Sequence, residues 1–171
     1  MNLLIAGSFD PITIGHVDLI NRARRLCDNL HINIGNNAKQ NMFSFEDRKR
    51  WIEKVANNCI ITQNQGMTID YLFDNKISGI VRGVRSYKDF EYEQEMHDRN
   101  ELLFNTTLPF APELKLETIV LFAKPAYRCI SSSAVRTLLK NDTSDNILSR
   151  LEQFVPYEIA KDILKKFEEI T

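Results

Sequence analysis

The fold is decided by a ten-residue stretch, Gly7-Ser8-Phe9-Asp10-Pro11-Ile12-Thr13-Ile14-Gly15-His16. Residues 3–6 before it form a short apolar run with the length of a buried strand, and residues 15–27 after it repeat apolar side chains at helical spacing. In open α/β sheets, ligands bind in such a loop between a first strand and its helix. The N–H groups and dipole of the helix start favour a phosphate, and His16 places an imidazole donor beside it. The stretch is neither a P-loop nor a GxGxxG loop.

The rest of the chain continues the alternation of strands and helices. Further strands are predicted at residues 30–34, 59–61, 77–81 and 118–123, with helices between and after them and a loop at residues 105–115. Right-handed crossovers then give a sheet covered on both faces. The sequence predicts a single-domain α/β fold, a doubly wound, Rossmann-like five-stranded parallel sheet of order 3-2-1-4-5. Residues 1–140 are expected to form the core and residues 141–171 the C-terminal helices.

Composition and charge exclude several classes of protein. The formal net charge of −1 removes the general electrostatic basis for binding nucleic acid. The three cysteines are far apart and form neither a disulfide scaffold nor a zinc framework. No run approaches the roughly 18 apolar residues of a membrane span, and the N-terminus lacks the basic start of a signal peptide. We therefore expect a cytoplasmic protein with no nucleic-acid or membrane partner.

The first loop resembles the (H/T)xGH signature of the nucleotidyltransferase superfamily. Three later motifs narrow the resemblance: Arg82-Gly83-Val84-Arg85, then Asp89-Phe90-Glu91-Tyr92-Glu93, then Ile130-Ser131-Ser132-Ser133. Together with the loop, they are similar to the motifs of phosphopantetheine adenylyltransferases, which make dephospho-coenzyme A in coenzyme A synthesis. The motifs extend from residue 5 to residue 136, so the resemblance covers most of the chain.

The resemblance implies direct attack by the phosphate of 4′-phosphopantetheine on the α-phosphorus of ATP, without a covalent intermediate. It assigns catalysis to His16, Lys39 and Arg85, with His16 donating to the α-phosphate in the transition state. The acceptor is implied to bind Ser8, Lys39, Arg82 and the backbone near Thr68. ATP is implied to bind Ser8, Phe9, His16, Gly83, Val84, Arg85, Glu93, Tyr127, Arg128, Cys129, Ile130, Ser131, Ser132 and Ser133.

The resemblance also implies partners. Mg²⁺ is expected to arrive bound to ATP, since Asp10 and Asp18 have no further ligands at metal-site spacing and no protein metal site is predicted. A homohexamer built as a dimer of trimers, and feedback inhibition by coenzyme A, are family expectations. The family's usual Tyr-Pro is replaced here by Ile5-Ala6, and its usual Thr by Ser8.

Several of these residues also have purely structural interpretations. Arg82 and Arg85 could form surface ion pairs with Asp89 or Glu91, and the serines could simply cap a helix. An inert Cys129 is favoured over a reactive thiol. Among the histidines outside the motifs, we expect His31 at a strand edge and His97 on a helix surface.

Other functions remain open at this point. A nicotinamide mononucleotide adenylyltransferase would share the first loop, but RGVR and DFEYE weigh against it. A glycerol-phosphate-type cytidylyltransferase fits the chain length. A non-catalytic ATP-sensing module is disfavoured because a pure binder has no need for the transition-state donor His16.

Overall fold

A computed structural model describes residues 1–35, 41–63, 68–107 and 116–171 of the chain. Five parallel strands form one sheet of order β3-β2-β1-β4-β5. The strands are β1 (Asn2–Gly7), β2 (Asn29–Ile34), β3 (Ile60–Gln63), β4 (Ile77–Val84) and β5 (Glu117–Phe122). The predicted fold class and strand order are therefore confirmed.

Seven α-helices connect and follow the strands within the described residues. They are α1 (Ile14–Ala23), α2 (Phe45–Val55), α3 (Thr68–Asp74), α4 (Tyr87–Thr107), α5 (Ser132–Asn141), α6 (Ile147–Leu151) and α7 (Tyr157–Ile170). Short 3₁₀ turns lie at Arg24–Leu26 and Pro125–Tyr127. No helix in the described parts of the chain is both long and apolar enough to cross a membrane.

The core explains why the central strands are apolar runs rather than alternating patterns. Leu3, Leu4 and Ile5 of β1 are all buried, because helices cover both faces of a parallel sheet. The larger core lies on the face that α1, α2, α5 and α7 cover, and a smaller cluster around Leu4 and Leu72 lies on the other. This packing fixes the carboxyl ends of β1 and β4 side by side.

Two predicted boundaries are wrong in ways that matter for the site. Strand β4 continues to Val84, so Arg82 and Gly83 lie inside the strand, paired with Val120 and Leu121 of β5, rather than in a following loop. Helix α4 continues to Thr107, where the sequence suggested a loop from residue 105. Pro109 is the nearest helix breaker, and its restriction acts on the residue just before it, so the helix can run to Thr107.

The two histidines outside the motifs are also placed differently. β2 lies between β1 and β3, so His31 is not on an edge strand. Its side chain is buried against α3, where its Nδ1 hydrogen-bonds the Tyr71 hydroxyl at 2.8 Å. Burial lowers the pKa of His31. His97 is half-buried on α4, with its Nδ1 3.0 Å from the Thr118 hydroxyl of β5. The strand-edge interpretation of His31 is therefore wrong.

Candidate active site

A cleft of about 360 Å³ lies at the carboxyl ends of β1, β4 and β5. This is where a doubly wound sheet binds ligands, because the chain leaves neighbouring strands in different directions there. Most of the residues singled out from the sequence line it. They are Ser8, Phe9, His16, Arg82, Gly83, Arg85, Glu93, Tyr127, Ile130, Ser131, Ser132 and Ser133.

Of the other five predicted residues, three lie outside the cleft and two cannot be placed from the described residues. Val84 is 2% exposed, and its carbonyl accepts the Ala123 N–H at 2.8 Å, so it is part of the buried sheet and not of the cleft surface. Arg128 and Cys129 are exposed on the surface. Lys39 lies outside the described residues, and so does the side chain of Thr68, whose backbone begins α3.

A buried arginine, Arg48 of α2, hydrogen-bonds the main chain of the first loop. Its Nη1 donates to the carbonyl oxygens of Ser8 at 2.6 Å and Gly35 at 2.8 Å, and its Nε donates to the Ser44 carbonyl at 3.2 Å. The residue is 1% exposed. A buried guanidinium needs acceptors for its N–H groups, and these three carbonyls let Arg48 fix the ends of β1 and β2 relative to α2.

Asp10 forms a second tie beneath the same loop. Its carboxylate accepts the backbone N–H groups of Met42 at 2.7 Å and Phe43 at 2.9 Å, and Arg136 donates to its carbonyl oxygen at 2.6 Å. Both carboxylate oxygens thus have partners, and Asp18 pairs with Arg22 and Lys124. Within the described residues, no group of three or more His, Cys, Asp or Glu side chains could hold a metal ion.

His16 is oriented by the residue that begins its own helix. The Thr13 hydroxyl accepts the His16 backbone N–H at 3.4 Å, and the Thr13 backbone N–H donates to His16 Nδ1 at 3.1 Å, so the two residues form a reciprocal cap. A backbone N–H can only donate, so Nδ1 accepts and the proton of the neutral ring lies on Nε2. Burial, reinforced by the charge of Arg85, lowers the pKa of His16 to about 4. At neutral pH the ring is an uncharged donor.

Phe9 supports the imidazole from the side. Its ring meets that of His16 edge to face, with centroids 5.2 Å apart. The Phe9 backbone has a φ of 48°, in the left-handed region that side chains other than glycine rarely adopt. Gly7 leaves the room for this arrangement, since a Cβ there would lie 3.3 Å from the Phe9 ring. Such local strain is typical of functional loops.

The two arginines of the RGVR motif are held by α4. Arg82 forms a bidentate pair with Glu93, with distances of 2.5 Å and 2.7 Å, and donates to the Ala6 carbonyl at 3.0 Å. Arg85 pairs with Asp89 at 3.1 Å. Partial burial opposes ionisation of Asp89, but hydrogen bonds from the Arg85 backbone and guanidinium lower its pKa overall. Ion pairing at both arginines is therefore present, with Glu93 rather than Glu91 as the second carboxylate.

The serine motif closes the cleft at the start of α5. Ser131 caps this helix by accepting the Ala134 N–H at 3.1 Å, as the sequence pattern indicated. Ser132 donates to the Pro11 carbonyl at 2.8 Å, which joins the motif to the first loop. The Ser133 hydroxyl accepts from Arg136 at 3.1 Å. Capping and a position in the cleft therefore hold at the same time.

Comparison with known proteins identifies the family that carries this arrangement. The cytidylyltransferase-like family matches residues 4–138. A phosphopantetheine adenylyltransferase of Levilactobacillus brevis is 36% identical over 166 residues, covering 95% of this chain and 94% of the relative. Another, of Bdellovibrio bacteriovorus, is 41% identical over 139 residues, covering 79% and 81%. The chain belongs to the phosphopantetheine adenylyltransferase family.

Solved structures support the fold of this family member. A Plasmodium falciparum nicotinic acid mononucleotide adenylyltransferase, complexed with NaAD, superposes with a TM-score of 0.62 over 96% of this chain and 95% of that one, at 19% identity. Thermotoga maritima TmcAL, bound with alpha-thio ATP, gives a TM-score of 0.61 over 98% of this chain and 56% of that one, at 11% identity. At these identities the likeness shows the shared nucleotidyltransferase-like fold.

Sequence reasoning missed three supports of the site in this adenylyltransferase family member. The role of Thr13 could have been predicted, because threonine is a preferred N-cap and Thr13 lies directly before the first residue of α1. Arg136 follows the serine motif, but nothing in the sequence says that it reaches Asp10. Arg48 carried no signal, since a charged residue in an amphipathic helix is usually solvated, whereas this one is buried.

Proposed function

We propose that this chain transfers the adenylyl group of ATP to 4′-phosphopantetheine, giving dephospho-coenzyme A and pyrophosphate. Relatives named for this activity match the chain over nearly its whole length. The observation that carries the chemistry is the meeting of His16 and the two arginines, Arg82 and Arg85, in one cleft. Transfer between phosphates needs positioning and stabilisation of negative charge rather than a covalent intermediate.

In the proposed mechanism, the acceptor phosphate attacks the α-phosphorus in line with the departing pyrophosphate. The Nε2–H of His16 donates to an α-phosphate oxygen as charge builds there, and the nearby Arg85 contributes positive charge. Because the ring is neutral, its contribution is a directed hydrogen bond and not an ion pair. The N-terminal turns of α1 and α5 add N–H groups and helix dipoles at the same end of the sheet.

The remaining assignments rest on the family motifs. We propose that Ser8 contacts the phosphates, that Lys39 and Arg82 bind the acceptor phosphate, and that the backbone near Thr68 meets the pantetheine arm. Mg²⁺ enters as part of the MgATP substrate. The assembly is proposed to be a homohexamer in the cytoplasm, inhibited by coenzyme A. A monomeric mass by light scattering would refute the hexamer.

The decisive experiment measures pyrophosphate release from MgATP with 4′-phosphopantetheine, and with nicotinamide mononucleotide in a parallel reaction. We expect release only with phosphopantetheine. A second pair, CTP with glycerol 3-phosphate, tests the cytidylyl-transfer alternative. Release only with another acceptor would keep the enzyme class and overturn the substrate. ATP binding without turnover by any acceptor would instead indicate a sensing module.

A further inference from the structure

The carboxylate of Glu93 faces Arg82 with both of its oxygens. Oε2 lies 2.5 Å from Nε, and Oε1 lies 2.7 Å from Nη2, so one whole edge of the guanidinium is engaged. The Glu93 side chain is only 11% exposed and that of Arg82 26% exposed. A bidentate pair with this little solvent is geometrically specific, and salt screens it less than it screens a surface ion pair.

The bonds made by Arg82 leave it able to bind an anion. Of its five N–H groups, Nε–H and one on Nη2 donate to Glu93, and one on Nη1 donates to the Ala6 carbonyl at the end of β1. Among the described residues, no partner engages the remaining N–H on each of the two terminal nitrogens. Two N–H groups on one guanidinium are what a phosphate needs for bidentate binding.

The two arginines differ in how tightly carboxylates of α4 hold them. Asp89 and Glu93 are four residues apart and therefore lie on one face of the helix, each against one arginine. The Arg85–Asp89 pair is more open, with side chains 41% and 29% exposed. Within the described part of the chain, the one further bond of the Arg85 guanidinium is a long one of 3.4 Å to the Ile130 carbonyl. Arg82 is thus the arginine whose orientation is fixed in advance.

We propose that Glu93 is a positioning residue for the acceptor phosphate, acting through Arg82, and not mainly an ATP ligand. The proposal rests on the proposed function, in which Arg82 binds the acceptor. Holding a long side chain in its binding orientation removes the entropy cost of ordering it when the ligand arrives. Loss of Glu93 should therefore weaken the acceptor more than ATP, whereas a ribose contact would do the reverse.

The first test compares Glu93→Gln with the matched control Glu91→Gln, an exposed carboxylate on the same helix. Steady-state kinetics should show the KM for 4′-phosphopantetheine rising about tenfold in Glu93→Gln, with the KM for ATP changed less than about twofold. Glu91→Gln should match the wild type in both. A raised KM for ATP with an unchanged acceptor KM would overturn the proposal.

A double-mutant cycle with Arg82→Gln supplies a readout that a general structural role would not move. If Glu93 acts through Arg82, adding Glu93→Gln to Arg82→Gln should leave the acceptor KM within about twofold of the single Arg82 variant. Additive effects would contradict the proposal. In the double variant Arg82 is also replaced, so no partly buried arginine is left without its carboxylate. The double variant therefore keeps the test valid if Glu93→Gln alone folds poorly. Thermal melting of each variant checks folding directly.

The same experiment separates this proposal from the proposed function. Turnover of 4′-phosphopantetheine by the wild type with only the ATP KM changed in Glu93→Gln refutes the positioning role alone. If the wild type uses nicotinamide mononucleotide instead, the substrate assignment fails. The cycle run with that phosphate acceptor then decides the role of Glu93 by the same criterion.

Discussion

The two sides of the cleft are built in different ways. On one side, two arginines hold the main chain of the loop from Gly7 to Thr13: Arg48 donates to the Ser8 carbonyl and Arg136 to the Asp10 carbonyl. On the other side, the arginines of β4 are held by side-chain pairs with α4. The difference suggests a division of labour. His16 lies beside a loop whose main chain is held in place, whereas Arg82 and Arg85 are oriented by carboxylates of α4, firmly by Glu93 and more loosely by the half-exposed Asp89.

The largest effect on the side of the first loop is expected from Arg48→Met. This substitution leaves the carbonyls of Ser8, Gly35 and Ser44 without the donor that now serves them. We expect the free energy of unfolding to fall by about 3 kcal/mol or more, the range for losing a buried, multiply bonded charged partner. Chemical denaturation measures the change. A loss below about 1 kcal/mol would mean that the loop does not depend on this arginine.

Removing the donor itself tests the same side at the chemical step. His16→Ala should lower kcat by more than about 100-fold, with little change in ATP affinity, because the contact strengthens only in the transition state. Steady-state kinetics and calorimetric ATP binding provide the two measurements. Turnover at the wild-type rate would refute the role of His16.

A milder change loosens the frame around the imidazole. Thr13→Val removes the hydroxyl that accepts the His16 N–H, and loss of an N-cap typically costs about 1 kcal/mol of stability. We expect kcat to fall about tenfold, because the ring loses part of its orientation. Thr13→Ser retains the hydroxyl and serves as the control. Equal kcat values in the two variants would show that the backbone N–H alone orients the ring.

The protonation of His16 links the two sides. NMR titration should give its pKa as about 4, and Arg85→Gln should raise that pKa while leaving it below 6.5, since burial remains the larger cause. The unfolded chain takes up this proton near pH 6.5 and the folded chain only near pH 4. Protonation therefore favours unfolding as the pH falls between these values. A wild-type pKa of 6.5 would contradict the lowered pKa of the folded state.

The smallest effect is expected at the half-exposed pair between Arg85 and Asp89. Asp89→Asn removes one charge from a half-exposed pair, which is worth about 0–1 kcal/mol. The KM for ATP should change by less than about fivefold. A rise in the KM for ATP as large as the fall in kcat expected for His16→Ala would contradict the difference between the two sides of the cleft.

Much of the fold was predictable because it depends on local patterns. Short apolar runs separated by helical spacing predicted all five strands, the doubly wound arrangement gave their order, and the three serines at 131–133 were expected at a helix N-cap. Boundaries failed where tertiary pairing overrides the local pattern. The strand predicted at residues 77–81 ends before Arg82, yet pairing with β5 keeps Arg82 and Gly83 in the strand.

The site was predictable in its residue types but not in its contacts. The motifs brought His16, Arg82, Arg85 and the serines to one cleft. No local signal could show that Glu93 would pair with Arg82, 11 residues away, because the choice depends on how α4 packs beside β4. The burial of Arg48 is hidden for the same reason.

The reciprocal cap between Thr13 and His16 has a consequence for local unfolding. The first turn of α1 and the orientation of the imidazole share the same hydrogen bonds, so fraying of that turn disconnects the donor while the sheet remains intact. We expect hydrogen exchange at the His16 amide to report how often this cap opens, and on warming we expect this local opening to increase before the global melting transition.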